Sequence, residues 1–270
     1  MKRIVVPGIL TATIFAIFPI GVRAEVFVGQ RVKASVPFEN IDHSAWHALL
    51  RKYVDQDGQV QYQAWHASRD DRQALEQYLA RLSAGGASRS TPKAAKLAFW
   101  INAYNAVTVH GILREYPTTS IRNHTAKLVG YNIWKHLKLY VGGKPCSLDH
   151  MEHKILRKME EPRIHFAIVC ASIGCPRLLN EAYTADALNE QLERNSQDFF
   201  SRPQNFRYQQ GSVQLSSILD WFGEDFGSNQ ATQLRTISQW LPTQEARDAA
   251  TSGRIRVSYL DYDWNLNERR

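Results

Sequence analysis

Apolar positions recur at helical spacing in several stretches of the chain. In "HSAWHALLRKYV" they are Trp46, Leu49, Leu50 and Tyr53, one face of a helix. "RDDRQALEQYLARLSA" is amphipathic and runs into Gly85-Gly86, a common helix stop. "KAAKLAFWINAYNAVTVHGILREY" is apolar nearly all round, which marks a central buried helix. Thr91 is placed to cap it, Pro92 fits its first turn, and Pro117 ends it. "ADALNEQLERNSQDFFS" and "QLRTISQWLP" read as two further helices.

Between them the period shortens. "KHLKLYVGGKPCSL" and "NFRYQQGSVQLSSIL" are strand–turn–strand patterns with glycines in the turns, hence hairpins. "RIHFAIV" is apolar on both sides, as in a buried strand. "SLDHMEHKILRKM" predicts a short helix with Asp149 as N-cap and Glu152 three residues on. "EVFVGQRVKASVPFEN" is extended, and "GRIRVSYLDYDWNLN" is a closing strand with an aromatic tail. "DQDGQVQYQAW" is a turn followed by a short strand. Its Asp-x-Asp-Gly start resembles a calcium loop, but His66 stands where the bidentate glutamate belongs, so it reads as an Asp-Gly turn. The order predicts an α+β fold: a central buried helix packed on a small, mainly antiparallel sheet with flanking helices.

Residues 1–24 change the picture of compartment. Lys2 and Arg3 precede an almost uncharged apolar run, and Val22 and Ala24 sit where a signal peptidase reads small residues. This is the pattern of a secretory signal peptide. The expected organisation is a leader over 1–24 and a single α+β domain over 25–270, in the periplasm or secreted. The formal charge of +7 becomes +4 once Lys2, Arg3 and Arg23 leave with the leader. No basic stripe with interleaved aromatics is present, so nucleic acid is not an expected partner. No later stretch is apolar enough to span a bilayer. An unidentified small molecule or peptide is the expected partner.

Export also frames the cysteines. Cys146, Cys170 and Cys175 are the three in the chain, and an oxidising space favours pairing of thiols that can meet. An odd count leaves at least one unpaired. "CASIGCP" admits three readings: a structural disulfide, a reactive or redox thiol on a loop whose amides can serve an oxyanion, or metal ligation and inert burial. A bond from Cys146 to either of the other two is a further form of the first. Candidate bases are His110, His153 and His165. On a strand, His165 and Cys170 would face opposite sides. Asn102 and Asn105 share one face of the apolar helix, either locking neighbouring segments or lining a pocket. The candidate site set is therefore Cys170, Cys175, His153, His110 and Asn105. No C-x-x-C spacing is present and the signal for a metal site is weak, so no metal and no cofactor are expected. The C-terminal "YLDYDWNLN" is expected to cover a core, with Asp261 and Asp263 serving turns and surface hydrogen bonds.

Four blocks, "AFWINAYNAVTVHGIL", "SLDHMEHKILR", "RIHFAIVCASIGCPRLLNEAYTA" and "YLDYDWNLN", together resemble the bacterial branch of the domain-of-unknown-function 547 family. They run in that family's order from about Leu97 to Asn267. The resemblance implies no settled activity. Plant members are similar in the central blocks but often carry serine where Cys175 stands. A helix on an antiparallel sheet with a cysteine and a histidine is also similar in architecture to thiol hydrolases of the papain and transglutaminase kind. In those the nucleophile starts the central helix, which here carries no cysteine. The expectation is an exported, non-catalytic binding or scaffold module. The alternative is a thiol-dependent hydrolase or transferase acting on an amide or a thiol-containing small molecule or peptide.

Overall fold

In the computed structural model the described residues are 25–126, 131–209, 211–253 and 255–269. The leader expected over 1–24 lies outside them. Among the described residues no helix is long and apolar enough to cross a membrane.

The fold is α+β. Strands β1 (Val26–Val28) and β2 (Val36–Pro37) open the chain. Helices α1 (Ser44–Tyr53), α2 (Tyr62–Ala67) and α3 (Arg69–Ser83) follow, then the short β3 (Gly85–Gly86) and the long α4 (Lys93–Glu115). A short α5 (Ile133–His136) leads into the first hairpin, β4 (Leu137–Val141) and β5 (Lys144–Ser147). Next comes α6 (Leu148–His150), which widens into a π-helical turn over Met151–Leu156. After α7 (Leu188–Ser201) stand the second hairpin, β6 (Phe206–Gln209) and β7 (Ser212–Ser216), then α8 (Ser217–Trp221), α9 (Gln230–Ser238), α10 (Gln244–Ser252) and β8 (Arg256–Leu260).

Both expected hairpins form, and each gains a third, parallel strand. β1 joins β4 in the order β1-β4-β5, and β8 joins β7 in the order β6-β7-β8. β2 and β3 make a separate two-stranded piece. The sheets are small and mixed because distant segments of the chain, not further hairpins, supply their outer strands.

Helix α4 is the axis of the larger core. From Leu97 to Leu113 every residue but His110 is buried, as its unbroken apolar pattern requires. A second, aromatic-rich core gathers Phe166, Phe199, Phe200, Phe206, Phe226 and Trp240. The segment "RIHFAIV" runs along the seam between the two. Ile164, Ala167 and Ile168 belong to the first core and Phe166 to the second. This is why it is apolar on both sides, yet it is not the strand that its pattern predicts. Pro162–Phe166 is a 3₁₀ helix with Pro162 in its first turn, capped by the Glu161 side chain. Its backbone partners are side-chain amides in place of a neighbouring strand. Asn195 on α7 donates to the Phe166 carbonyl at 3.0 Å and Asn105 on α4 to the Ala167 carbonyl at 2.9 Å. The Val169 amide donates back to Asn105 Oδ1 at 3.0 Å.

Three smaller expectations also change. Ser147, not Asp149, caps α6, its hydroxyl accepting from the His150 amide. Thr91 accepts from the Ser88 amide in the loop and does not cap α4. The stretch after the Asp-Gly turn makes only single bridges, Val54 with Val60 and Val60 with Glu268, before helix α2 begins. The turn itself forms: Asp55 Oδ1 accepts from the Asp57 and Gln59 amides, and Gly58 takes φ 80°.

Candidate functional site

The loop after "RIHFAIV" is fixed from behind by the C-terminal tail. Ser172 bridges to Leu266, the Ile173 amide donates to the Asn265 carbonyl, and the Gly174 amide donates to the Asp263 carbonyl, both at 2.9 Å. Gly174 lies so close that a Cβ there would stand 3.0 Å from the Asp263 nitrogen. Ala171 takes a left-handed φ of 57°, which costs energy in a residue with a side chain and persists where surroundings impose it. The Cys175 amide then closes a turn on the Ser172 carbonyl at 3.1 Å.

These constraints bring two sulfurs together. Cys170 Sγ lies 2.6 Å from Cys175 Sγ, 3.0 Å from Tyr262 OH and 3.4 Å from Ser172 Oγ. The Cys170 amide donates to Cys175 Sγ at 2.8 Å. All three cysteines are free thiols, so the expected disulfide staple is not formed. Cys146 sits apart on β5 opposite Leu139, and burial pushes its thiol up to about 11.

The two thiols of the pair are unequal. The Cys175 thiol beside Cys170 lowers the Cys170 thiol, against burial, and the Ser172 and Tyr262 hydroxyls add to the effect. Burial first, then the neighbouring Cys170, pushes Cys175 well above the ordinary thiol range. A thiolate at Cys170 has the Cys175 thiol and the Tyr262 hydroxyl as donors within reach, and hydrogen bonds to the charged form favour it.

Both sulfurs open on a cavity of about 310 Å³ at the seam of the two cores. Tyr104, Glu152, His153 and His165 contribute polar groups to its lining, and Trp134, Trp221, Phe222, Tyr262 and Trp264 its aromatic surface. Tyr104 OH donates to Glu152 Oε2 at 3.1 Å, so Glu152 serves the cavity and not a helix cap. His165 Nε2 donates to Asp225 Oδ2 at 2.7 Å, and Arg157 binds both oxygens of Asp225 at 2.6 and 2.9 Å. Burial raises the Asp225 carboxyl, but the His165 and Arg157 hydrogen bonds outweigh it and hold the group well below the usual carboxylate range. Arg157 also donates to His153 Nδ1 at 3.2 Å, which leaves the proton of a neutral ring on Nε2.

Of the predicted site residues, Cys170, Cys175 and His153 share this cavity. His165, expected on the opposite face from Cys170, lines it too, because a 3₁₀ turn replaces the strand. Neither imidazole makes a hydrogen bond to either sulfur. His110 lies elsewhere, beside β1 and α3, with Nδ1 buried and unpartnered; burial lowers it to about 4. Asn105 stands behind the cavity wall, its amide taken by Ala167 and Val169. Asn102 likewise brackets the Tyr183 backbone, donating to its carbonyl at 2.8 Å and accepting from its amide at 2.9 Å. Asp263 serves a turn as expected, accepting from Asn265. The same tail contributes Tyr262 and Trp264 to the cavity, which its alternation of aromatics and acids hints at without locating. Asp225 and Arg157 carry no motif and were not expected. Among the described residues no group of three or more His, Cys, Asp or Glu is placed to hold a metal ion.

Residues 88–200 match the model of a family described as "Protein of unknown function, DUF547". The match supports that family. It takes in α4, α6, the seam segment, the cysteine loop and α7. The described tail residues that clamp the loop lie beyond it. Neither a curated protein nor a solved structure matches the chain.

Proposed function

We propose that the protein is an exported, thiol-dependent group-transfer enzyme, of the bacterial branch of the family, with Cys170 as its nucleophile. The observation that carries this reading is the placement of Cys170 Sγ on the wall of a 310 Å³ cavity, with the Cys175 thiol and the Ser172 and Tyr262 hydroxyls in hydrogen-bond contact with it. Thiolate reactivity requires a lowered pKa and access, and this environment favours both. The cavity volume suits a small molecule or one side chain of a peptide. Aromatic faces on one side and the Glu152, His153 and His165 groups on the other supply apolar contact and orientation. Export rests on the leader pattern of 1–24.

The second reading is a non-catalytic periplasmic binding or scaffold module. It is favoured by Asn102 and Asn105, whose amides lock main chain and do not face a ligand. Iodoacetamide labelling of the folded, reduced protein at neutral pH, mapped by mass spectrometry, separates the two. The enzyme reading expects Cys170 to label at least tenfold faster than Cys146. Equal, slow labelling of both overturns it.

A further inference from the structure

Resting on Cys170 as the nucleophile, we infer that Cys175 is its resolving thiol and that the substrate class is a disulfide. The site then performs thiol–disulfide exchange on a small-molecule or short-peptide disulfide.

Three features point this way. The two sulfurs lie 2.6 Å apart, within the reach of bond formation and much closer than two non-bonded sulfurs rest. They are held there by backbone that the tail pins at Ala171, Ser172, Ile173 and Gly174, so pairing needs no rearrangement of the loop. Their exposures differ in the useful sense: both line the cavity, but Cys170 is partly exposed and Cys175 is buried at 8 %.

The leaving group decides between reaction classes. Acyl transfer from an amide needs an acid to protonate the departing amine. No imidazole is hydrogen-bonded to either sulfur. A thiolate leaves without protonation, and its rate follows its own pKa. The site therefore has what exchange requires and lacks the sulfur–imidazole contact that amide cleavage uses.

In the reaction, the Cys170 thiolate attacks one sulfur of the substrate disulfide. A bond forms between Cys170 Sγ and that sulfur, the substrate S–S bond breaks, and the other half departs as a thiolate that takes a proton from water. Cys175 then loses its proton to solvent and attacks Cys170 Sγ. The Cys170–Cys175 bond forms, the bond from Cys170 Sγ to the substrate sulfur breaks, and the second half departs as a thiolate that takes a proton from water. The substrate gains two electrons and the dithiol loses them. Run in reverse, the oxidised pair oxidises a substrate dithiol.

The test uses the full-length exported protein, reduced and freed of reductant, with bis(2-hydroxyethyl) disulfide in one arm and a short peptide disulfide in the other. Products are mapped by mass spectrometry, and folding is checked by circular dichroism. In the wild type, both halves of the probe should be released as thiol and a Cys170–Cys175 bond should appear. Cys175→Ser should stop at a mixed disulfide on Cys170, and Cys175→Ala should do the same if the serine disturbs the loop. Cys170→Ser should form no adduct at Cys175 or Cys146. The arm that reacts at least tenfold faster identifies the source of the disulfide. Failure of both Cys175 variants to accumulate an adduct, with Cys170 still alkylated by iodoacetamide, overturns the exchange assignment while leaving the nucleophile. Failure of wild-type Cys170 to alkylate overturns the nucleophile itself.

Discussion

Tyr262→Phe removes one oxygen from the site and leaves the ring. That ring packs 4.5 Å from Trp264 and 5.0 Å from Trp221 between centroids, so the tail keeps its place. What is lost is the phenol 3.0 Å from Cys170 Sγ. A hydrogen bond to a charged group contributes about 1.5–3 kcal/mol, more than one to its neutral form. If the difference between thiolate and thiol is about 1.4 kcal/mol, the thiolate fraction at neutral pH falls about tenfold. The rate does not fall as far, because a more basic thiolate is intrinsically more nucleophilic. With a Brønsted slope of about 0.4–0.5, that gain is about threefold. The expected signature is two-sided: exchange with a chromogenic aromatic disulfide slows about threefold at neutral pH and speeds up about threefold on the alkaline plateau. The groups near Cys170 that remain include Cys175, Ser172, Glu152, Tyr104, Tyr62, His153 and His165, and none is altered. Stopped-flow burst rates across the pH range measure the profile. Superimposable profiles would refute the role assigned to the phenol. A uniform slowing at every pH would show disrupted packing instead.

Two further outcomes follow from the same geometry. Asn105→Ala leaves the Ala167 carbonyl and the Val169 amide unpaired in the core; at about 1–3 kcal/mol for each orphaned group, urea unfolding should show a loss of about 4 kcal/mol, and a loss under about 1 kcal/mol would mean that the segment re-pairs. His43, whose Nδ1 is hydrogen-bonded to Tyr78 OH at 2.7 Å, is lowered by burial from 6.5 to about 4. Between those values the unfolded chain binds a proton that the folded one does not, so this contribution is complete above about 6.5 and declines as the pH falls through 4; the loss is on the order of 3 kcal/mol, and His43→Asn should flatten that part of the stability–pH curve.

How far the sequence discloses this arrangement depends on which physical signal each part leaves. The helices are legible because burial of one face, or of every face in α4, writes a period into the residues. The hairpins are legible through Gly142-Gly143 and Gly211, each with a positive φ in the structure. "RIHFAIV" misleads because the pattern reports burial and not conformation: a segment between two cores is apolar on both sides whatever its dihedrals. The deciding partners, Asn105 and Asn195, lie 62 and 29 residues away from the carbonyls they bind. For Asn105 the visible trace is its polarity in an apolar helix, which leaves locking and pocket lining both open; Asn195 leaves no such trace. Cys170 and Cys175 were visible as a loop. Their distance was not, since the tail that sets it closes the chain some ninety residues later, with Tyr262 92 positions from Cys170.

That separation explains why the site sits where it does. A cavity between two hydrophobic cores gives a sulfur low-dielectric surroundings, which by themselves disfavour the thiolate. The seam offers no regular backbone ladder to compensate, because the segment entering it is held by side-chain amides. The compensation has to come from discrete groups delivered by separate elements: Cys175 and Ser172 from the loop itself, Tyr262 from the tail. The tail is thus both clamp and reagent. It fixes Ala171 to Gly174 through backbone bonds, and through one phenol it changes the charge that Cys170 can hold. Truncating the chain after β8 removes both functions together, whereas Tyr262→Phe removes only the second. Comparing the two therefore separates the cost of losing the loop's shape from the cost of losing its chemistry. If the truncated protein kept Cys170 as reactive as the full chain, neither the clamp nor the phenol would be what activates the thiol, and the activation would have to lie within "CASIGCP" alone.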